Sequence, residues 1–191
     1  MTRRSLLPAL FLALAVMAAA PASAQDAALP STTPGACTIE PRTQFPTGEE
    51  GDLTALSPTP TPAIDETGAA PADQAAIDAV TATVAMSIAC QNAGDLPRML
   101  ATFSDAWIEG RFDSYDLVYL DTFQRNTALA ATPVADADRR DLVAVTDVVV
   151  LPDGAIVATV VTSAGGVEER ARLRFVTERD ALVIDEATPL A

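Results

Sequence analysis

The last third of the chain leaves little conformational freedom. Four runs rich in Val and Ile, LVAVTDVVVL (142–151), AIVATVVTS (155–163), VEERARLRFVTE (167–178) and ALVIDEA (181–187), alternate with short turn sequences. Branched apolar runs bounded in this way read as strands. Pro152-Asp153-Gly154 and Gly165-Gly166 are hairpin turns, and Glu178-Arg179-Asp180 is a third, less well specified one. Three consecutive tight turns imply an antiparallel meander. In the third run Ala171, Leu173 and Phe175 alternate with Arg170, Arg172 and Arg174, so one face of the sheet is dry and the other wet. A dry face must be covered, and the residues that precede the sheet have to do it.

Those residues change period. Ile77, Val80, Val84 and Ile88 recur at helical spacing, and Asp73 stands where an N-cap belongs. A second line, Ala79, Thr83, Met86 and Cys90, lies on the far side of this helix, so it too needs a cover. The stretch ACQNAGDLPRMLATFSDAW then stops one helix and starts another. Gly94 suits a helix C-terminus, Asp95 an N-cap, and Pro97 the first turn of the second helix. Leu96, Met99, Leu100 and Phe103 continue one apolar face, and Trp107, the only tryptophan, comes before a turn at Gly110. DSYDLVYLDTFQRNTALAATP (113–133) reads as a third helix, capped by Asp113 or Ser114 and ended by Pro133. The expected fold class is α+β, with helices packed on an antiparallel sheet in a domain spanning 73–191.

The start of the chain reads as an address. Thr2-Arg3-Arg4-Ser5 is a charged start, Leu6 to Ala20 an apolar run, and Ala22-Ser23-Ala24 a small-residue cleavage site. The run is short for a membrane span, which needs about 20 residues. Residues 1–24 are therefore expected to be a signal peptide, by either the general or the twin-arginine route. The mature protein is then secreted or held in the cell-envelope space. Residues 25–72 are rich in Pro, Thr and Ala and read as a tail. One island, GACTIEPRTQF (35–45), holds Cys37, Ile39 and Phe45, and is expected to dock on the domain. The chain has two cysteines, Cys37 and Cys90. A disulfide between them would lay the island over the second face of the first helix, in a compartment that permits the bond.

Composition narrows the chemistry. There is no histidine, so Ser-His-Asp triads, Cys-His pairs and histidine zinc sites are excluded. There are 12 basic and 26 acidic residues, and every basic residue is arginine. Such an acidic chain repels nucleic acid and anionic membrane. Asp136, Asp138 and Asp141 lie close together but lack the glycine and terminal glutamate of a calcium loop. Neither a metal nor a cofactor is expected.

Helix, break and helix in the wording NAGDLPRMLATFSDAW, a further helix, and then a meander closing on LVIDEA resemble the nuclear-transport-factor-2-like superfamily over about residues 74–188. That resemblance implies a curved sheet wrapped around the helices, the cystatin-like cone, with a pocket at its wide end. It names a place for a site without fixing a chemistry. Trp107, Phe112, Tyr115, Tyr119 and Phe123 cluster in the helical part and either line this pocket or fill the core. Asp105 and Asp147 are single acids in apolar surroundings. Asp147 shares a strand face with Val143, Val145 and Val149, so it is a candidate pocket acid if that face is concave and an ordinary surface residue if it is not. The function expected is binding of a small apolar ligand or a protein partner, without catalysis. The alternatives are a cofactor-independent isomerase, cyclase or hydratase using Asp and Tyr, or a scaffold that forms a homodimer through the sheet. No nucleic acid, and no membrane after signal removal, is expected as a partner.

The export reading predicts that the mature chain begins at Gln25. N-terminal sequencing of secreted protein checks this directly, and secreted material that still carries the apolar run contradicts it.

Overall fold

A computed structural model of the protein describes residues 28–43, 63–111 and 131–190. The signal-peptide reading (1–24) and the helix expected from residue 113 lie outside the described residues, apart from the end of that stretch. The fold is α+β, with helices packed on a curved, unclosed antiparallel sheet. Its strands are β1 (Ala70–Pro71), β2 (Arg140–Val150), β3 (Ile156–Ala164), β4 (Val167–Glu178) and β5 (Ala181–Leu190), in sheet order β1-β2-β3-β4-β5. The three hairpins stand where the turn residues predict. Gly165 and Gly166 both adopt positive φ, 57° and 80°, the conformation a two-residue hairpin loop requires. Arg179 and Asp180 take the same conformation without glycine, at 52° and 60°.

The helices are α1 (Gln74–Ala93), α2 (Leu96–Leu100) and α3 (Asp105–Arg111). Asp73 caps α1 by accepting the N–H of Ala76 at 2.9 Å. Gly94 ends it at φ 68°, and any Cβ there would stand 2.1 Å from the carbonyl oxygen of Thr132. The break therefore needs glycine for its handedness and for the close backbone approach. Val80, Val84, Ala85 and Ile88 of α1 pack on Leu142, Ala158, Val160, Leu173, Phe175 and Ile184 of the sheet, which is the main core. The second line of α1 is covered unevenly: Ala79 is exposed, Thr83 and Met86 are half-buried, with Thr83 donating to the Leu182 carbonyl of β5 at 3.3 Å, and Cys90 is fully buried.

What covers Cys90 is the segment 28–43. The Cys37–Cys90 disulfide is formed, closing a sequence separation of 53. On either side of it the segment is held by polar contacts. The amide of Asn92, 2% exposed, donates to the carbonyls of Thr32 (2.8 Å) and Arg140 (2.7 Å) and accepts the N–H of Arg140 (2.9 Å). That side chain thus pairs with β2 as a strand backbone would, while tying the segment to α1. Thr32 donates to Asp141 at 3.0 Å, and Arg98 donates to the carbonyl of Ile39 at 2.9 Å. The Arg42 N–H reaches the carbonyl of Pro97 at 3.1 Å, and its guanidinium bonds Asp105 and the carbonyl of Phe103.

The sequence reading of 63–72 as tail is corrected by the structure. Ala70 and Pro71 pair with Val150 and Val149, and Ile64 and Ala69 pack on Leu151, Ala155 and Val157 at one end of the far sheet face. Glu66 receives both guanidinium arms of Arg172, at 2.7 and 2.6 Å. Apolar contacts too sparse to form a periodic pattern thus join one ion pair and the backbone pairing of β1 with β2 in holding this stretch.

Removing the disulfide frees the unfolded chain of a long loop closure, worth about 4 kcal/mol by chain-entropy estimates. Cys37→Ser with Cys90→Ser is expected to lower unfolding stability by about that amount in urea. An unchanged midpoint contradicts the docking of segment 28–43 on α1.

Candidate functional site

The site begins where the second helix fails to continue. Sequence periodicity joins Leu96 to Phe103 in one helix, but the structure divides it. Asp95 caps α2 by accepting the N–H of Arg98 at 3.1 Å, and α2 ends at Leu100. The next residues pair with the edge of β5: the N–H of Ile184 donates to Thr102 at 2.8 Å, and the N–H of Ser104 donates to Ile184 at 2.9 Å. Ser104, 1% exposed, then starts α3. Its Oγ accepts the N–H of Trp107 at 3.0 Å and donates to Asp185 at 2.7 Å. Asp185 sits at a register shift of β5 against β4 and also pairs with Arg174. A serine ahead of Asp105 is a cap signal legible in the sequence, but the continuing apolar spacing masks it.

The break turns Phe103, Trp107 and Arg111 into one stripe. The rings of Phe103 and Trp107 have centroids 4.1 Å apart, and the Arg111 guanidinium lies 5.4 Å from the Trp107 ring centroid. All three line a cavity of about 750 Å³ between α1, α3 and the helix-facing side of β3, β4 and β5. That volume falls within the range of small-molecule pockets, about 300–1,000 Å³.

The walls grade from apolar to polar. Along α1 the lining passes from Val84 to Ile88 and then Gln91, with Ser87 beside them. Along β4 it passes from Leu173 through Ala171 to Glu169, and along β3 from Val160 to Thr162. Register places Val160 opposite Ala171 and Thr162 opposite Glu169, so both strands change character at the same level. Arg140 closes that level, donating to Thr162 at 2.8 Å and to Glu169 at 2.5 Å.

Of the residues singled out from sequence, Trp107 lines this cavity. Phe112, Tyr115, Tyr119 and Phe123 lie outside the described residues. Asp147 is placed off the cavity, at the surface, which is the second of its two sequence alternatives. It is exposed, at φ 51°, where β2 slips its register between Thr146 and Val149. This irregularity displaces Asp147 from the alternation that would align it with Val145, and its carbonyl accepts from Arg172 on the wet face. Asp105 also lies off the cavity, bonded by Arg42 and by Arg179 at 2.7 Å. Burial, with the like charge of Arg179, lowers the Arg42 guanidinium to about 10, against a smaller opposing effect of Glu178.

Desolvation raises the carboxyl of Glu186, helped by Asp185 and opposed by Arg174. Glu186 pairs across with Arg174, while its neighbour Ala187 pairs with Leu173 and lines the cavity. Strand alternation therefore points this acid away from the cavity. Among the described residues no three acidic or cysteine side chains converge on a metal position. Asp136 instead pairs with Arg139 at 2.7 Å, and Asp141 accepts from Thr32. Sequence reasoning missed Gln91, Arg111, Arg140 and Glu169 as lining residues. Their charge reads as ordinary surface until the fold brings them to one opening. In comparisons with family models, curated proteins and solved structures, nothing matches this chain.

Ser104→Ala removes the cap of α3 and its link to Asp185. It is expected to cost ~1–2 kcal/mol and to shift the emission of Trp107, both read in one fluorescence-monitored urea titration. Wild-type stability and emission in that variant contradict the positioning role.

Proposed function

We propose that this domain binds a small, largely apolar molecule in the cavity between α1, α3 and the sheet, and that it is an exported member of the nuclear-transport-factor-2-like superfamily. One observation carries the binding reading: the floor of the cavity is made of the core's own residues, Val84, Ile88, Val160, Leu173 and Ile184. Apolar surface left open beside a packed core favours an apolar occupant. The superfamily reading rests on the order of elements, helix, break, helix and then antiparallel meander, with the curved sheet behind them.

Export is supported by the signal-like start and agrees with the disulfide, a bond that persists in oxidising compartments. The described residues contain no helix long and apolar enough to cross a membrane. Acid–base catalysis of the kind that pairs Asp with Tyr has less support. Among the described residues the cavity lining holds neither, and its acids, Glu168 and Glu169, are exposed. Pairing through the wet sheet face has less support as well, because Arg172 and Arg174 occupy that face with Glu66 and Asp153 as partners.

A neutral apolar dye, N-phenyl-1-naphthylamine, is expected to bind saturably. Ala171→Phe, which fills the cavity from β4, is expected to weaken that binding about ten-fold or more, a loss of about 1.4 kcal/mol. Unsaturable binding, or equal binding by a folded Ala171→Phe variant, contradicts the reading.

A further inference from the structure

The charges around the cavity differ from those of the chain. The whole sequence has a net charge of −14. Among the described residues, the cavity is lined by three arginines, Arg111, Arg140 and Arg170, and two acids, Glu168 and Glu169. Arg140 is occupied by Glu169, which it meets at 2.5 Å on the cavity side of β3 and β4. Glu168 and Arg170 alternate with Glu169 and Ala171 along β4, so they share the opposite side of that strand and bring one charge of each sign to the rim. Arg111 is left. It has no acid partner among the described residues, and its guanidinium stands over Trp107 inside the lining.

A guanidinium at an apolar opening, with no acid partner among the described residues, does two things. In a strongly acidic protein it makes the opening the local exception to a field that repels anions. Its planar fork matches a carboxylate with two parallel hydrogen bonds. The graded walls supply the other half of the match, since an apolar floor that becomes polar along α1, β3 and β4 suits a molecule with one apolar and one polar end. A single excess positive charge suits a monoanion better than a doubly charged phosphate ester.

Building on the proposed binding function, we propose that the cavity selects an amphipathic carboxylate, with its aliphatic chain along Val84, Ile88, Val160 and Leu173 and its head group bonded by Arg111. Arg111 is a specificity-determining residue in this assignment, and it acts by direct contact with the ligand.

Trp107 reports the test, because it is the only tryptophan and lines the cavity. Protein with its disulfide intact is titrated with dodecanoate, dodecanol and dodecylamine below their aggregation limits. Dodecanoate is expected to bind about ten-fold more tightly than dodecanol, the scale of one added charge-assisted hydrogen bond, and dodecylamine more weakly than either. Arg111→Gln, at an exposed position that leaves the core intact, is expected to abolish the difference between dodecanoate and dodecanol measured on that variant. Equal binding of dodecanoate and dodecanol by the unmodified protein leaves the cavity reading standing and overturns the carboxylate. A preference for dodecylamine overturns it too, and gives the selectivity to Glu168 and Glu169. A carboxylate preference that survives Arg111→Gln overturns the assignment to Arg111. Failure of all three to bind overturns both the inference and the reading beneath it.

Discussion

Helix α1 has apolar surface on two sides, and the Cys37–Cys90 bond closes the second of them. The sheet takes Val80, Val84 and Ile88, while Cys90, fully buried, is bonded to Cys37 of segment 28–43. Segment 28–43 lies there, and much else in the fold depends on its path. Asn92 can satisfy its amide only because Thr32 and Arg140 meet at the end of α1. Arg42 is buried with its guanidinium received by Phe103 and Asp105. The segment therefore spans the start of β2, the end of α1, α2 and the start of α3. In doing so it fixes three of the elements that frame the cavity.

The break between α2 and α3 has a similar role on the other side. Had the helix run on from Leu96, Phe103 and Trp107 would lie on a rod without any bond to the sheet. Pairing at Thr102, Ser104 and Ile184 ties the chain to β5, and the Ser104 cap restarts it as α3. Asp185, at the register shift of β5, joins that cap to Arg174 of the sheet. Backbone pairing, a cap and an ion pair thus converge on the base of the stripe formed by Phe103, Trp107 and Arg111. Polar interactions hold an apolar wall in place, which keeps the floor open for an apolar occupant without leaving the wall to drift.

The sheet was legible in the sequence because period-two patterning and turn chemistry are local. Gly165-Gly166 marks its hairpin without reference to anything distant, and the arginines of β4 declare the wet face by alternation alone. The Cys37–Cys90 pairing was legible for a different reason: a cysteine in a polar tail and a helix face without a cover each pose a problem that the other solves. The candidate site was much less so. Asp147 reads as inward only if strand alternation is unbroken, and the irregularity between Thr146 and Val149 breaks it. Such slips arise from register against β3, which no single strand encodes. Arg140 and Glu169 lie 29 positions apart, and only the hairpin pairing makes them neighbours. Residues 63–72 hide because two apolar side chains, one ion pair and a two-residue strand pairing with β2 hold them without any periodic signal.

If the opening beside the core is a binding site, protein isolated from its own host should carry an occupant. Native mass spectrometry tests this without choosing a ligand in advance. The expected spectrum holds a population with one non-covalent small-molecule adduct per chain, released on mild activation, of low polarity and bearing an acidic group. The same preparation of Ala171→Phe should show the bare mass. Bare mass in both preparations, or an adduct that the filled cavity retains equally well, would contradict a binding role for the cavity.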